Sequence, residues 1–172
     1  MNLEIERKFL IQLPDTDAIA ARNGCLTRRI VQTYLKEREK SVERRIREIT
    51  EIKIGGECGN VAYFYTEKRH KSSIIRLEDE REITREEYTA LMTERYSGLT
   101  KTRYAFPFAG HVIEIDVYPY EFGGKELVGR AVMEVELKDE HEEIIFPPEI
   151  EIIRELTGTK EFSNKALAKK FI

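Results

Sequence analysis

Glu4, Glu6 and Lys8 fall two residues apart near the start of the chain, with Leu3, Ile5 and Phe9 between and beside them. In an extended strand such residues share a face, so two carboxylates and an ammonium form one row while apolar side chains occupy the other. The pattern recurs. Glu43, Arg45 and Arg47 make a second row, Thr66 and Lys68 a third, and Arg76, Glu78, Glu80 and Glu82 a fourth. Lys101 and Arg103 follow, then Glu114 with Asp116, then Glu134, Glu136 and Lys138. One such row is the ordinary wet face of a two-sided sheet. A succession of them points to a shared charged surface with a chemical use.

The residue types say what that use is. Lys8, Arg45, Arg47, Lys68, Arg76, Lys101 and Arg103 offer enough donors to wrap a compact polyanion. Phosphate suits them, because guanidinium groups grip its oxygens two at a time and lysines act as mobile point charges. Carboxylates beside a bound phosphate would repel it. Glu4, Glu6, Glu80, Asp116, Glu134 and Glu136 therefore imply hard divalent cations between protein and phosphate, and oxygen-only ligation favours Mg²⁺ or Mn²⁺ over zinc. Cys25 and Cys58 are not paired as zinc ligands, and His70, His111 and His141 are not spaced around them; the cysteines read as reduced thiols, and His111 and His141 as surface or turn histidines. Tyr34, Tyr63, Tyr65 and Tyr104 read as packing groups. Thr66, Glu82 and Lys138 stand equally well as structural or functional residues.

Strands must hold these rows. Beyond the first, the alternation predicts strands near 27–36, 41–50, 60–69, 73–82, 99–107, 111–118 and 128–138. Helical signals are fewer: a short segment from Pro14-Asp15-Thr16 to Ala21, and a helix after the Thr84–Glu87 capping box, with Tyr88, Leu91, Met92 and Tyr96 at helical spacing. Pro147-Pro148 predicts a helix of about nine residues closing near Thr157-Gly158, and Ser163 caps a last helix over about 163–171.

At 172 residues the chain is read as one domain, 1–172, able to bury a sizeable core. Its net charge of -3 gives no support to general nucleic-acid binding, which asks for a basic surplus. No signal-type start and no run of about 18 apolar residues is seen, so the expectation is a cytoplasmic protein without a membrane anchor. Eight strands with one charged face each can close around that face, giving an α+β, mainly β fold: a closed eight-stranded antiparallel barrel with a charged lumen and helices packed outside. An outer-membrane barrel shares the inversion but fits poorly with strands interrupted by helices and an outer face carrying Arg7, Arg44 and Glu67. A lining of charges is poor for stability, since each ion loses water at a cost of several kcal/mol, and so serves a ligand.

Glu4-x-Glu6-x-Lys8 resembles the ExExK signature of the CYTH superfamily, the triphosphate tunnel metalloenzymes. Further blocks fall in that family's order: Glu43–Arg47, Tyr63–Lys68, Arg76-x-Glu78-x-Glu80, Lys101–Tyr104, Gly110–Val117, Met133–Leu137, and Phe162-Ser163-Asn164 with Leu167-Ala168. Ile113 stands where the family often has Trp, and the stretch 118–130 is longer than its pattern. The resemblance implies a tunnel that binds a linear triphosphate with two Mg²⁺ or Mn²⁺ per site, and a bacterial inorganic triphosphatase-like activity. Under it Glu4, Glu6, Lys8 and Lys101 are catalytic; Lys8, Arg45, Arg47, Lys68, Arg76 and Arg103 bind the triphosphate; and Glu4, Glu6, Glu80, Asp116, Glu134 and Glu136 hold metal. The partner is then a small molecule, with no nucleic acid and no membrane, and the chain is read as acting alone or as a homodimer. Thiamine triphosphatase, class IV adenylyl cyclase and a noncatalytic polyphosphate or nucleotide sensor are the competing functions.

Overall fold

The alternating rows are realised as strands that bend into a closed ring. A computed structural model describes residues 2–72 and 74–171. In chain order the strands are β1 (Asn2–Gln12), β2 (Leu26–Leu35), β3 (Glu43–Ile52), β4 (Cys58–His70), β5 (Ile75–Ile83), β6 (Arg95–Phe108), β7 (His111–Val117) and β8 (Arg130–Glu136). Two short ones, β9 (Ile152–Glu155) and β10 (Lys169–Lys170), follow. Around the ring the order is β6-β2-β3-β4-β5-β1-β8-β7, and pairing of β7 with β6 closes it. Every contact in the ring is antiparallel, so no ring strand presents a free edge along its whole length.

Register brings the charged rows level with one another. Glu4 lies opposite Arg76, Glu6 opposite Glu136, and Lys8 opposite Glu134. Glu43 faces Lys68, Thr66 faces Glu80, Arg103 faces Asp116, and Glu114 faces Glu134. Because side chains alternate, a slip of one residue in any pair would turn its charges outward. The outward residues of β1, β7 and β8 supply the main core: Phe9, Ile11, Ile113, Ile115, Met133 and Val135 pack with Ile19 of α1 (Thr16–Ala20) and with Ile150. A second cluster outside the ring joins Leu35, Ile46 and Ile83 to Tyr88 and Leu91 of α2 (Arg85–Leu91). The Thr84–Glu87 capping box is formed as the sequence predicts. Ile113 is fully buried in the main core.

The lumen is not charged throughout. Leu10 and Val132 share the inward face of Lys8 and Glu134, and they pack with Leu127, Leu156 and Phe162 into an apolar plug at one end. Part of the 118–130 stretch forms α3 (Tyr120–Gly123) and a 3-10 turn at Lys125–Leu127, which carries Leu127 into that plug.

Three sequence expectations are corrected. The helix after Pro147-Pro148 is instead a turn followed by β9, because β5 pairs with β1 only as far as Ile5. Beyond it β1 would expose unpaired backbone groups at Phe9–Ile11, and β9 with its β-branched Ile152-Ile153 covers them. The last helix is short: α4 spans only Asn164–Leu167 and gives way to β10, which pairs with β6 at Ser97 and Gly98, where β7 no longer reaches. Tyr96, assigned to helical spacing, lies in β6, since α2 ends at Leu91 and a 3-10 turn at Met92–Glu94 leads into the strand. Residue 73, where the fifth of the predicted strands begins, lies outside the described residues.

Candidate active site

The ring encloses a cavity of about 1030 Å³. Of the residues singled out from spacing, Glu4, Glu6, Lys8, Arg45, Arg47, Lys68, Arg76, Glu80, Lys101, Arg103, Glu134 and Glu136 all line it. They come from β1, β3, β4, β5, β6 and β8, so the site exists only when the ring closes. Asp116 shares the inward face of Glu114 but is wholly buried beneath Lys101 and Arg103 and does not line the cavity: Arg103 Nε donates to its Oδ1 at 2.7 Å, and Lys101 Nζ donates to its Oδ2 at 2.6 Å. Glu80 also stands apart from the other carboxylates, accepting from Arg47 Nη2 at 2.7 Å and from Thr66 Oγ1 at 2.6 Å.

The remaining pairs form a mesh across the cavity. Lys68 Nζ donates to Glu4 Oε2 at 2.9 Å and lies 3.4 Å from Glu78. Arg76 Nη1 donates to Glu6 Oε1 at 2.9 Å, and Arg103 Nη1 donates to Glu114 Oε2 at 2.6 Å while its Nη2 reaches Glu134 at 3.4 Å. Lys8 stands 3.6 Å from Glu134. The mesh is incomplete where ligand would sit: among the described residues the buried Nε groups of Arg45 and Arg47 have no hydrogen-bond partner, nor does Oε1 of Gln32, which lies opposite Arg47 in the sheet. One strip of the wall across β2, β3 and β4 is apolar, with Ile30 beside Ile49, Ile49 beside Ala62, and Phe64 next along β4.

The computed structure is similar to the crystal structure of the inorganic triphosphatase NE1496, with a TM-score of 0.52 and 28% identity, over 97% of this chain and 95% of that one. It also matches a crystal structure of NE1496 described as a hypothetical protein, with a TM-score of 0.50 and 28% identity, over 95% of this chain and 96% of that one. No family model matches the sequence, and no curated protein does. This chain has the triphosphate tunnel fold of the CYTH superfamily. No described helix is long and apolar enough to cross a membrane.

Burial inside the tunnel separates the carboxylates into two kinds. Burial acts to raise Glu4, but the Lys68 ammonium and a hydrogen bond with Glu78 outweigh it and hold Glu4 at about 2. Glu134 is likewise pulled far down, its burial overcome by Lys8 and Arg103. Glu6 goes the other way, to about 7, through burial and then repulsion from Glu134 and Glu4. Glu136 also rises to about 7, through burial and the nearby Glu114 carboxylate. Burial and the neighbouring Arg103 charge lower Lys101 to about 8, against the pull of Asp116. Burial and Arg45 bring Arg47 down to about 10.

The carboxylates fit a hard divalent cation by donor chemistry. Among the described residues no three His, Cys, Asp or Glu side chains stand together as a ready-made cage. Yet Glu4, Glu6, Glu134 and Glu136 come from adjacent β1 and β8 with oxygen donors only, and the carboxylate repulsion that adds to burial in raising Glu6 (from Glu134 and Glu4) and Glu136 (from Glu114 and Glu4) is what a nearby cation would relieve. Ten lysines and arginines face nine glutamates around the tunnel. So near a balance of charge means that a polyanion gains little from the bare site and much from cations that accompany it.

Spacing alone overlooked several lining residues. Arg28, Gln32 and Tyr34 alternate along β2 as the charged rows do along other strands, but their mixed chemistry hides the row. Glu43, Glu78 and Glu114 lie within rows already noted and line the tunnel beside the chosen residues. Asn164 and Lys165 reach it from α4, which no strand rule could place.

Proposed function

We propose that the protein hydrolyses a linear triphosphate with the help of Mg²⁺ or Mn²⁺, and that inorganic tripolyphosphate, cleaved to pyrophosphate and phosphate, is its substrate. The observation that carries this is the convergence of basic and acidic rows on one enclosed tunnel, with arginine donors left unpartnered inside it. The likeness to a structure described as an inorganic triphosphatase supports the same reading.

In this account Lys8, Arg45, Arg47, Lys68, Arg76 and Arg103 hold the phosphate oxygens and meet the charge that builds as the phosphoanhydride bond breaks. Glu4, Glu6, Glu134 and Glu136 would hold the metal, with Glu80 and Asp116 orienting the cations they touch. A bound divalent cation neutralises phosphate charge and makes its water easier to deprotonate. Lys101, held near 8, is matched to give a proton to the leaving phosphate oxygen at neutral pH. Burial of these groups excludes bulk water and strengthens each contact.

The apolar strip of Ile30, Ile49, Ala62 and Phe64 favours a second reading, in which the triphosphate carries an organic group such as thiamine or a nucleoside. Purified protein incubated with tripolyphosphate, thiamine triphosphate and ATP, each with Mg²⁺ or Mn²⁺, separates the alternatives by product. Phosphate and pyrophosphate from tripolyphosphate, faster than from the other two, supports the proposal. Cyclic AMP from ATP replaces it with a cyclase, and absence of any product leaves a sensor.

A further inference from the structure

The plugged end of the tunnel holds the ammonium of Lys101, a side chain only 1% exposed. Its Nζ donates to Asp116 Oδ2 at 2.6 Å and to Asn164 Oδ1 at 3.3 Å. A lysine ammonium has three N–H groups in fixed tetrahedral relation, so two protein acceptors determine where the third points. Both Lys101 and Asn164 line the cavity, which leaves that third N–H for a ligand inside it.

Asn164 is itself held from several sides. Its Oδ1 accepts from Tyr118 Oη at 2.5 Å, and Ser163 Oγ caps α4 by accepting from Ala166 N at 3.1 Å. Phe162 and Leu167, flanking it, pack into the apolar plug. The chain then runs straight into β10, pairing Lys169 with Gly98 and Lys170 with Ser97, and Phe171 N donates to Tyr96 O at 2.9 Å. Gly98 lets this strap lie close: a Cβ there would come within 2.9 Å of the Phe171 ring. The strap thus docks on β6, the strand that carries Lys101, so the segment bearing Asn164 and the strand bearing the lysine are tied together.

We propose that Asn164 is a positioning residue: together with Asp116 it fixes the Lys101 ammonium so that one N–H is presented to phosphate bound in the tunnel. This rests on the triphosphatase reading for its kinetic consequence and on the contacts above for its geometry. In Asn164→Ala, kcat for tripolyphosphate falls by about 10- to 100-fold, the loss expected from misplacing a reacting group, while KM stays within about threefold. In a Lys101→Met background the same change has no further effect, because its partner is gone. Tyr118→Phe, which frees the carboxamide without cutting it away, gives a smaller loss of kcat that also vanishes beside Lys101→Met. Losses that multiply in the double variants, or a change confined to KM, overturn the proposal in favour of simple tunnel closure. Side-chain NMR of ¹⁵N-lysine protein, without substrate, keeps this separate from the activity itself: a slowly exchanging Lys101 ammonium signal is expected in wild type and lost in Asn164→Ala. An unchanged signal refutes the positioning role even if no triphosphate is ever turned over.

Discussion

Raising the pH of metal-free protein from 5.5 to 8 should destabilise it, and Glu6 sets the size of the effect. Glu6 is buried, and its carboxyl is held at about 7 in the fold against 4.5 when unconstrained. Between those values the folded state binds the proton that the unfolded state has released, so stability falls as pH rises through the window and levels off above it. At 1.36 kcal/mol per pH unit the full displacement corresponds to about 3 kcal/mol, of which about 2 kcal/mol falls between pH 5.5 and 8. Glu136 acts in the same direction, but it is half-open to water and adds less. Glu4 and Glu134 are displaced downward, so their contribution is complete above about pH 5.5 and is lost only on acidification. For a chain of this length about 2 kcal/mol is a fall of roughly 4–8 °C in Tm. Thermal melts in chelator across the range measure it, Glu6→Gln should remove most of the slope, and millimolar Mg²⁺ at pH 8 should restore stability by binding the folded state alone. A wild-type Tm that is flat or rises from pH 5.5 to 8, or an equal slope in Glu6→Gln, would refute the reasoning.

Other perturbations probe different parts of the site. Arg103→Ala leaves the fully buried Asp116 with Lys101 as its remaining cation and takes a partner from Glu114 and Glu134; a loss of about 3 kcal/mol is expected in denaturant titrations, because charge-assisted hydrogen bonds to buried carboxylates are removed. Arg47→Met leaves Glu80 still hydrogen-bonded by Thr66, so it should spare the fold and raise the KM for tripolyphosphate about tenfold or more in steady-state assays. Phe64→Ala should raise the KM for thiamine triphosphate or ATP by about tenfold while leaving tripolyphosphate within about twofold, which a side-by-side comparison of the three substrates reads directly.

The barrel was legible because each of its strands carries a period-2 row, and β3 and β7 fall within a residue or two of the spacing that announces them. The inward residues chosen from those rows meet in one tunnel for the same reason. What escaped was set by long-range pairing. The segment around Ile152-Ile153 has no alternation to mark it as a strand, and it becomes one because β5 leaves β1 uncovered beyond Ile5. Lys169 and Lys170 pair with β6 for a like reason, where β7 stops at Thr102. Asp116 shares the spacing of a ligand row, yet Lys101 and Arg103 cover it and take up both its oxygens, which periodicity along one strand does not reveal. Leu10 and Val132 sit on the charged face but belong to the plug, since only the C-terminal segment folding across that end makes it dry.

The proposed function needs the anionic and cationic rows that share one tunnel to grip triphosphate together with metal there. A crystal structure of the protein with tripolyphosphate and Mn²⁺, read at the manganese absorption edge, addresses it directly. Anomalous density bounded by Glu4, Glu6, Glu134 and Glu136 is expected, with phosphate oxygens against Arg45, Arg47 and Lys68. Phosphate bound on the outer surface, or manganese found only away from those glutamates, would contradict it.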